Sequence, residues 1–139
     1  SVRNAHPIIF FKDSLADEYA IFGSVLPRWY SGLGITVTLL WLAVPTAGNC
    51  RWLVAFERHE DDALDLDADS FAADQIALVT PSGTSGAVKR TAIAFTDGAQ
   101  IDSLQAGESF RLRLTRTPNH VDDTMLGQGQ MLRLELRET

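Results

Sequence analysis

The chain has 139 residues, enough for one domain that buries about two-thirds of the surface its unfolded form exposes. Its net charge of -6 opposes direct binding to nucleic acid or to anionic membranes, because such binding depends on positive charge. The single cysteine, Cys50, excludes an intramolecular disulfide and a zinc site built from several thiolates. It lies in a strand-like run and is predicted to be a small buried side chain. The longest apolar run, 39–45, is too short for a membrane-spanning helix, and we expect a soluble protein without an export signal.

The N-terminal part predicts an arm followed by two strands. Residues 1–12 are interpreted as an arm or edge segment, and 13–139 as one β-sandwich domain. A short apolar run at 8–11 is a first strand candidate. The second candidate, 19–26, ends at Pro27, which cannot donate a ladder hydrogen bond.

The next two segments have the clearest alternation of apolar and polar residues in the chain. Residues 35–43 and 50–58 both repeat with period two around a turn at 45–49, and we predict that they pair as a long hairpin. Leu40 and Leu42 make the end of the first strand apolar on its second face too. A covering loop and a subunit contact explain that second face equally well.

The remainder of the chain completes an all-β pattern. Its elements are predicted helical turns at 70–75 and 101–107 and predicted strands at 76–80, 87–96, 108–117 and 130–137. About eight strands with hardly any helix predict a two-sheet antiparallel β-sandwich. Connecting loops of unequal length favour an eight-stranded jelly roll over a meander.

An acidic segment is the one candidate for a metal site. Asp65, Asp67 and Asp69 stand at alternate positions, as at the start of a calcium loop. Ser70 replaces the glycine and Ile76 the bidentate glutamate that such a loop requires. A solvated acidic loop is therefore the simpler interpretation, with calcium as the alternative.

No segment matches a catalytic motif. Ser85 lacks the Gly-x-Ser-x-Gly turn of a hydrolase nucleophile. His6, His59 and His120 lie in separate segments and predict no catalytic triad. We therefore expect neither enzyme activity nor a cofactor.

Charged side chains alternate along the last two strands. Arg111, Arg113 and Arg116 are predicted to share one outward face, and Arg133, Glu135 and Arg137 another. Their simplest role is to keep the surface soluble and to protect strand edges from pairing. The alternative is a salt-bridge seam between subunits.

Aromatic residues before the first glycine turn offer a further candidate site. Trp29 and Tyr30, together with Tyr19, could form a platform on which a sugar stacks. The simpler interpretation is that Trp29 and Tyr30 plug the core or an interface.

Several motifs resemble small virion proteins encoded by tailed phages. The segments that carry the resemblance are 34–41, 48–58, 67–71, 83–86 and 104–112, followed by 122–125, Leu132 and Leu134. The resemblance implies a jelly-roll or similar β-sandwich used as a capsid decoration (cement) protein or as a part of a fibre. It brings no catalytic residues.

We therefore expect a virion structural protein, a capsid decoration protein assembled in the host cytoplasm. The expected partners are copies of itself, as a dimer or trimer, and the major capsid protein or another virion protein, without direct nucleic acid or membrane contact. The alternative is a fibre-tip module that binds carbohydrate or a receptor. The candidate contact residues are Ile8, Phe10, Trp29, Tyr30, Leu40, Leu42, Arg111, Arg113, Arg133 and Glu135.

Overall fold

The alternating segments of the sequence form strands in the computed structural model, which describes residues 2–139. Two 3₁₀ turns, Leu66–Ala68 and Ala99–Ile101, are its helical elements. The strands are β1 (Val2–Arg3), β2 (His6–Pro7), β3 (Ile9–Phe11), β4 (Glu18–Val25), β5 (Ile35–Leu42), β6 (Cys50–His59), β7 (Gln75–Val79), β8 (Lys89–Phe95), β9 (Ser109–Arg116) and β10 (Gly129–Glu138). Within residues 2–139, no helix is long and apolar enough to cross a membrane.

Eight of these strands form two antiparallel four-stranded sheets that pack face to face. The first sheet has the order β3-β10-β5-β8, and the second has the order β4-β9-β6-β7. Most hydrogen-bonded neighbours are distant in sequence, as in a jelly roll and unlike a meander. The predicted all-β sandwich is confirmed.

The predicted hairpin of 35–43 with 50–58 is wrong. β5 lies between β10 and β8 in the first sheet, whereas β6 lies between β9 and β7 in the second. Residues 43–49 carry the chain across from one sheet to the other. Alternation with period two shows that each strand has one buried face. Two strands with this pattern can lie side by side in one sheet or in two sheets that face each other.

The core between the sheets is built around aromatic side chains. Trp41 from the first sheet and Trp52 from the second are fully buried, with ring centroids 5.5 Å apart. Phe11 packs edge-on against Trp52 at 5.1 Å, which ties the short strand β3 to the second sheet. Cys50 is buried as predicted, and this burial raises the pKa of its thiol.

Arg116 does not share the outward face of Arg111 and Arg113, so that prediction is wrong. Alternation along β9 turns even-numbered residues inward, and Arg116 is completely buried at one end of the core. Its Nε and Nη2 donate to the two carboxylate oxygens of Asp123 at 3.1 and 2.9 Å. The same guanidinium donates to the carbonyl oxygens of Phe11, Met125 and Gly127.

The helical turn predicted at 70–75 lies instead at Leu66–Ala68. The side chain of Asp65 accepts a hydrogen bond from the Asp67 N–H at 3.0 Å and caps this turn. The second turn is also displaced, to Ala99–Ile101 from the predicted 101–107.

The predicted arm, apart from residue 1, which lies outside the described residues, has two parts. β1 and β2 form a small hairpin, and β3 pairs with β10 at the edge of the first sheet. The turn of the hairpin places Asn4 and Ala5 at φ values of 47° and 64°. Arg3 Nη1 donates to Gln130 Oε1 at 3.3 Å, which fastens the hairpin to the first sheet.

A bidentate ion pair joins the end of β6 to the start of β9. Arg58 Nε and Nη2 donate to the two carboxylate oxygens of Glu108 at 2.8 and 2.9 Å. Glu108 also accepts the Gln105 N–H at 2.7 Å. The hydrogen bond from Arg58 is the main cause of the lowered pKa of Glu108.

Replacing Glu108 with glutamine is expected to lower the free energy of unfolding by about 1 kcal/mol at pH 7. A carboxylate with a lowered folded-state pKa adds stability above its unfolded pKa of about 4.3, and this stability is lost as the pH falls through the folded-state value. Urea unfolding should therefore show the gap at pH 7 and its disappearance near pH 2. A gap of equal size at both pH values contradicts the expectation. The matched control is Glu60→Gln, because Glu60 is more exposed and meets Arg58 at only 3.6 Å.

Candidate interaction surfaces

The outer face of the second sheet exposes a group of large apolar side chains. Three come from β4 and two from β7, the two edge strands of this sheet. We call the group the apolar face, and its members with their exposed fractions are Tyr19 (64%), Ile21 (45%), Val25 (57%), Ile76 (54%) and Leu78 (44%).

These residues were not predicted from the sequence as contact candidates, except Tyr19, which was assigned to a platform on which a sugar stacks. A usable signal existed in β4, where Ile21 and Val25 occupy one face while Ala20 and Phe22 occupy the other. A strand that is apolar on both faces is expected to contact another segment or another molecule on each face. Leu40 and Leu42 were singled out for the same reason.

The centre of the same sheet carries charged side chains, and these pair with one another within the chain. Glu57 points outward from β6, yet it is 1% exposed. Arg111 Nε and Nη2 donate to its two oxygens at 2.8 and 2.7 Å, and His59 Nε2 lies 3.1 Å from one of them. A charge-assisted bidentate pair of this kind holds both partners in one orientation.

Arg111 and Arg113 also hold a loop onto the sheet. Both guanidinium carbons lie 4.5 Å from the ring centroid of Phe71. Arg113 reaches Asp74 at 3.5 Å, and the Ala72 N–H donates to the Phe56 carbonyl at 2.9 Å. The charges that alternate along β9 are therefore engaged within the chain, where they fasten residues 71–74 over β6.

The outer face of the first sheet differs in character. Arg133 and Glu135 are exposed there, and Arg133 donates to the adjacent Leu132 carbonyl at 2.9 Å. Leu40 is half-buried beside Arg133. Leu42 is buried by this chain, opposite the Gln130 side chain that Arg3 contacts, so a covering segment accounts for its second apolar face.

The two sheets are open along one side because β3 is short. β3 pairs with β10 only over Gly129–Met131, so the later part of β10 has β5 as its strand partner within the described chain. A cleft between β4 and this part of β10 is lined by Phe22, Leu134 and Leu136. Ile8 is buried near its end, whereas Phe10 is half-buried opposite Gln130 of β10.

Trp29 and Tyr30 lie at the other end of this cleft. Trp29 is 73% exposed and borders a cavity of about 230 Å³. The Tyr30 hydroxyl donates to Asp97 at 2.7 Å, and burial followed by this hydrogen bond raises the pKa of Tyr30 to about 12. Tyr30 is thus a fixed structural element, whereas Trp29 is presented to the surroundings.

Glu138 forms the polar rim of the same cavity. Its carboxylate accepts hydrogen bonds from the Ser31 N–H and hydroxyl, both at 2.8 Å, and from the Leu33 N–H at 3.2 Å. Desolvation raises the pKa of Glu138, but these hydrogen bonds outweigh it and lower the pKa. The C-terminal end of β10 thereby fixes the loop that carries Trp29.

The structure does not bring the candidate metal ligands together into a site. Asp65 caps a 3₁₀ turn, and Asp69 accepts the Ser70 N–H at 2.8 Å. Among residues 2–139, no group of three or more His, Cys, Asp or Glu side chains is placed to hold a metal ion. His59 is engaged with Glu57, and His120 lies near Asp122.

Comparisons with known proteins find no family for this chain and a weak structural likeness. No family model matches the chain, and no curated protein matches it. A chain in the structure of infectious bursal disease virus Gt strain matches 96% of this chain at 9% sequence identity, with a TM-score of 0.31. The match covers 32% of that chain, so this protein spans about a third of its length. A likeness at this level carries no argument about fold, activity or partners.

Proposed function

We propose that this protein is a structural component of a virion, a decoration protein that coats a tailed-phage capsid and reinforces the shell. The observation that carries the proposal is the apolar face, because large apolar side chains left exposed along both edges of one sheet of a folded domain mark a contact with another macromolecule. The sequence motifs that resemble small phage virion proteins suggest that the partner is another virion protein.

The proposed mechanism is adhesive. Each copy buries its apolar face against the major capsid protein or another virion protein, and the free energy of that contact opposes separation of neighbouring capsomers. Repeated symmetric contacts over the shell multiply a modest affinity at a single site. In this proposal the protein acts without a reaction and without a cofactor.

Ile76 is the position at which this contact is best tested. Its side chain projects from the outer face of an edge strand, so a glutamate there disturbs the apolar face and leaves the core intact. Phage particles carrying the Ile76→Glu variant should lose most of the bound protein, as quantified by immunogold labelling and by gel densitometry of gradient-purified particles. The matched control, Ala94→Glu, adds the same charge to an exposed position on the first sheet and should keep full occupancy.

Two results would overturn this proposal. One is absence of the wild-type chain from purified particles. The other is equal occupancy of wild type and Ile76→Glu, which would remove the apolar face from the contact.

The cavity beside Trp29 favours a second candidate, a carbohydrate- or receptor-binding module. An exposed indole next to a small cavity with a carboxylate at its rim suits stacking on a sugar ring. A glycan array separates the two candidates. A shell protein should show no glycan preference, whereas a binding module should show one that Trp29→Ala abolishes.

A further inference from the structure

β4 is an edge strand without the usual protection against pairing. It matches β9 one-to-one over all eight of its residues, without a bulge, and its other edge has no strand partner within residues 2–139. From Tyr19 to Val25 it contains neither a charge nor a proline. Edge strands normally carry charges, prolines or bulges that prevent another chain from adding to them.

The other three edges of the sandwich are protected. β3 has three residues, and β7 has five and is followed closely by Pro81. β8 begins with Lys89 and Arg90. Among the four edge strands, β4 is therefore the one with a long uncharged segment to which another strand can add.

The backbone groups that face this free edge can be identified. The Leu26 N–H donates to the Glu108 carbonyl at 2.9 Å, and the Leu26 carbonyl accepts from Gly107 at 2.7 Å. Both polar groups of Leu26 thus point toward the β9 side. Because these directions alternate along an antiparallel strand, the N–H and C=O groups facing the free edge are those of Tyr19, Ile21, Gly23 and Val25.

We propose that two copies of the chain pair β4 with β4, antiparallel about a two-fold axis at Phe22, and merge their second sheets into one eight-stranded sheet. In this register Ile21 of one copy lies opposite Gly23 of the other, and Tyr19 lies opposite Val25. Every free-edge residue then has a hydrogen-bonding partner. The inference rests on the proposed decoration role and on the expectation that copies of the chain associate, and it names the surface through which they do so.

A second copy fits this edge for three reasons. A two-fold contact needs a self-compatible surface, and seven uncharged residues place no like charges opposite each other although each chain carries a net charge of -6. Gly23 is exposed and has no side chain, which leaves room for the opposing Ile21. The half-buried Phe22 rings meet at the axis and cover the opening of the cleft between β4 and β10.

The proposed pairing gives a closed dimer. Once both β4 edges are paired, the merged sheet ends in the short β7 strands, so the assembly stops at a dimer and does not grow into a fibre. The exposed apolar side chains of β4 in the two copies become continuous across the joint, which enlarges the apolar surface available to a capsid partner.

The test compares sedimentation equilibrium of the wild type, Ile21→Glu and Ile76→Glu from micromolar to millimolar concentration. Ile21→Glu places a carboxylate opposite Arg113 within the same chain, which suits the monomer, and sets two negative charges near each other across the axis. We expect a wild-type dimer whose dissociation constant rises at least tenfold in Ile21→Glu. Ile76→Glu should leave it unchanged, because Ile76 lies on the opposite edge of the same sheet.

Amide hydrogen exchange gives an independent readout of the contact. The amides of Ile21 and Gly23 should be protected at high protein concentration and exchange freely on dilution, whereas those of Ala20 and Phe22 should be protected at both. A wild-type chain that remains monomeric at millimolar concentration overturns the inference, as does a dimer that Ile21→Glu leaves intact. A dimer of this kind that is absent from particles overturns the decoration role alone.

Discussion

Replacing Arg116 with methionine is expected to lower the free energy of unfolding by about 3–5 kcal/mol. The variant leaves the Asp123 carboxylate buried without a counter-charge and removes the donor from three backbone carbonyls. Burial alone would lower the pKa of Arg116, but the Asp123 hydrogen bond and nearby charges outweigh it, so the native guanidinium stays charged. Urea unfolding followed by tryptophan fluorescence measures the loss, which is a large share of the stability of a domain this size.

The matched control is Arg113→Met, because Arg113 lies on the same strand with its charge partly exposed to solvent. Its loss should be below about 1 kcal/mol. The double variant Arg116→Met/Asp123→Leu should recover only part of the Arg116→Met loss, since the carbonyls of Phe11, Met125 and Gly127 still lack their donor. If Arg116→Met costs no more than Arg113→Met, the buried pair does not hold this end of the sandwich.

Arg116 also shows where pattern reasoning from the sequence fails. Alternation located all eight sandwich strands to within two residues, because each strand has one face in the core. The same alternation places Arg116 inward, but its charge suggested an outward position. A buried arginine is tolerated when its donors are satisfied, and Asp123 lies in a loop whose return to β9 no local pattern indicates.

The order of the strands was equally inaccessible to local patterns. Residues 35–43 and 50–58 have the signature of a hairpin, and only the long-range pairing of β5 with β10 excludes it. The hairpin of β1 and β2 was missed for another reason, because Ala5 adopts a positive φ that its residue type does not predict.

Strands that are apolar on both faces could be recognised from the sequence, but their exposure could not. The apolar second face of the strand at 35–43 drew attention to Leu40 and Leu42, and the chain itself covers Leu42. The equivalent pattern in β4 remains exposed because no neighbouring segment packs on Ile21 or Val25. Whether such a face is covered depends on tertiary placement of the loops, which periodicity does not contain.

Replacing Trp52 with alanine is expected to lower the free energy of unfolding by about 3–5 kcal/mol, since it empties the centre of the aromatic core. Trp52 contacts Trp41 and Phe11, and its removal frees β3 from the second sheet. Chemical denaturation monitored by far-UV circular dichroism measures the loss. A loss below about 1.5 kcal/mol, the level of a volume-conserving core substitution, would show that the aromatic contacts do not join the sheets.

The conservative variants Trp52→Phe and Trp41→Phe provide a sharper comparison, because both indoles are fully buried. Trp41 Nε1 donates to the buried Thr91 hydroxyl at 2.9 Å, whereas Trp52 Nε1 has no hydrogen-bond partner among the described residues. Phenylalanine at position 41 therefore breaks a buried hydrogen bond, and phenylalanine at position 52 breaks none. Trp41→Phe should be the more destabilising of the two by about 1 kcal/mol. The reverse order would mean that the Trp52 indole N–H also has a hydrogen-bond partner, such as a buried water molecule.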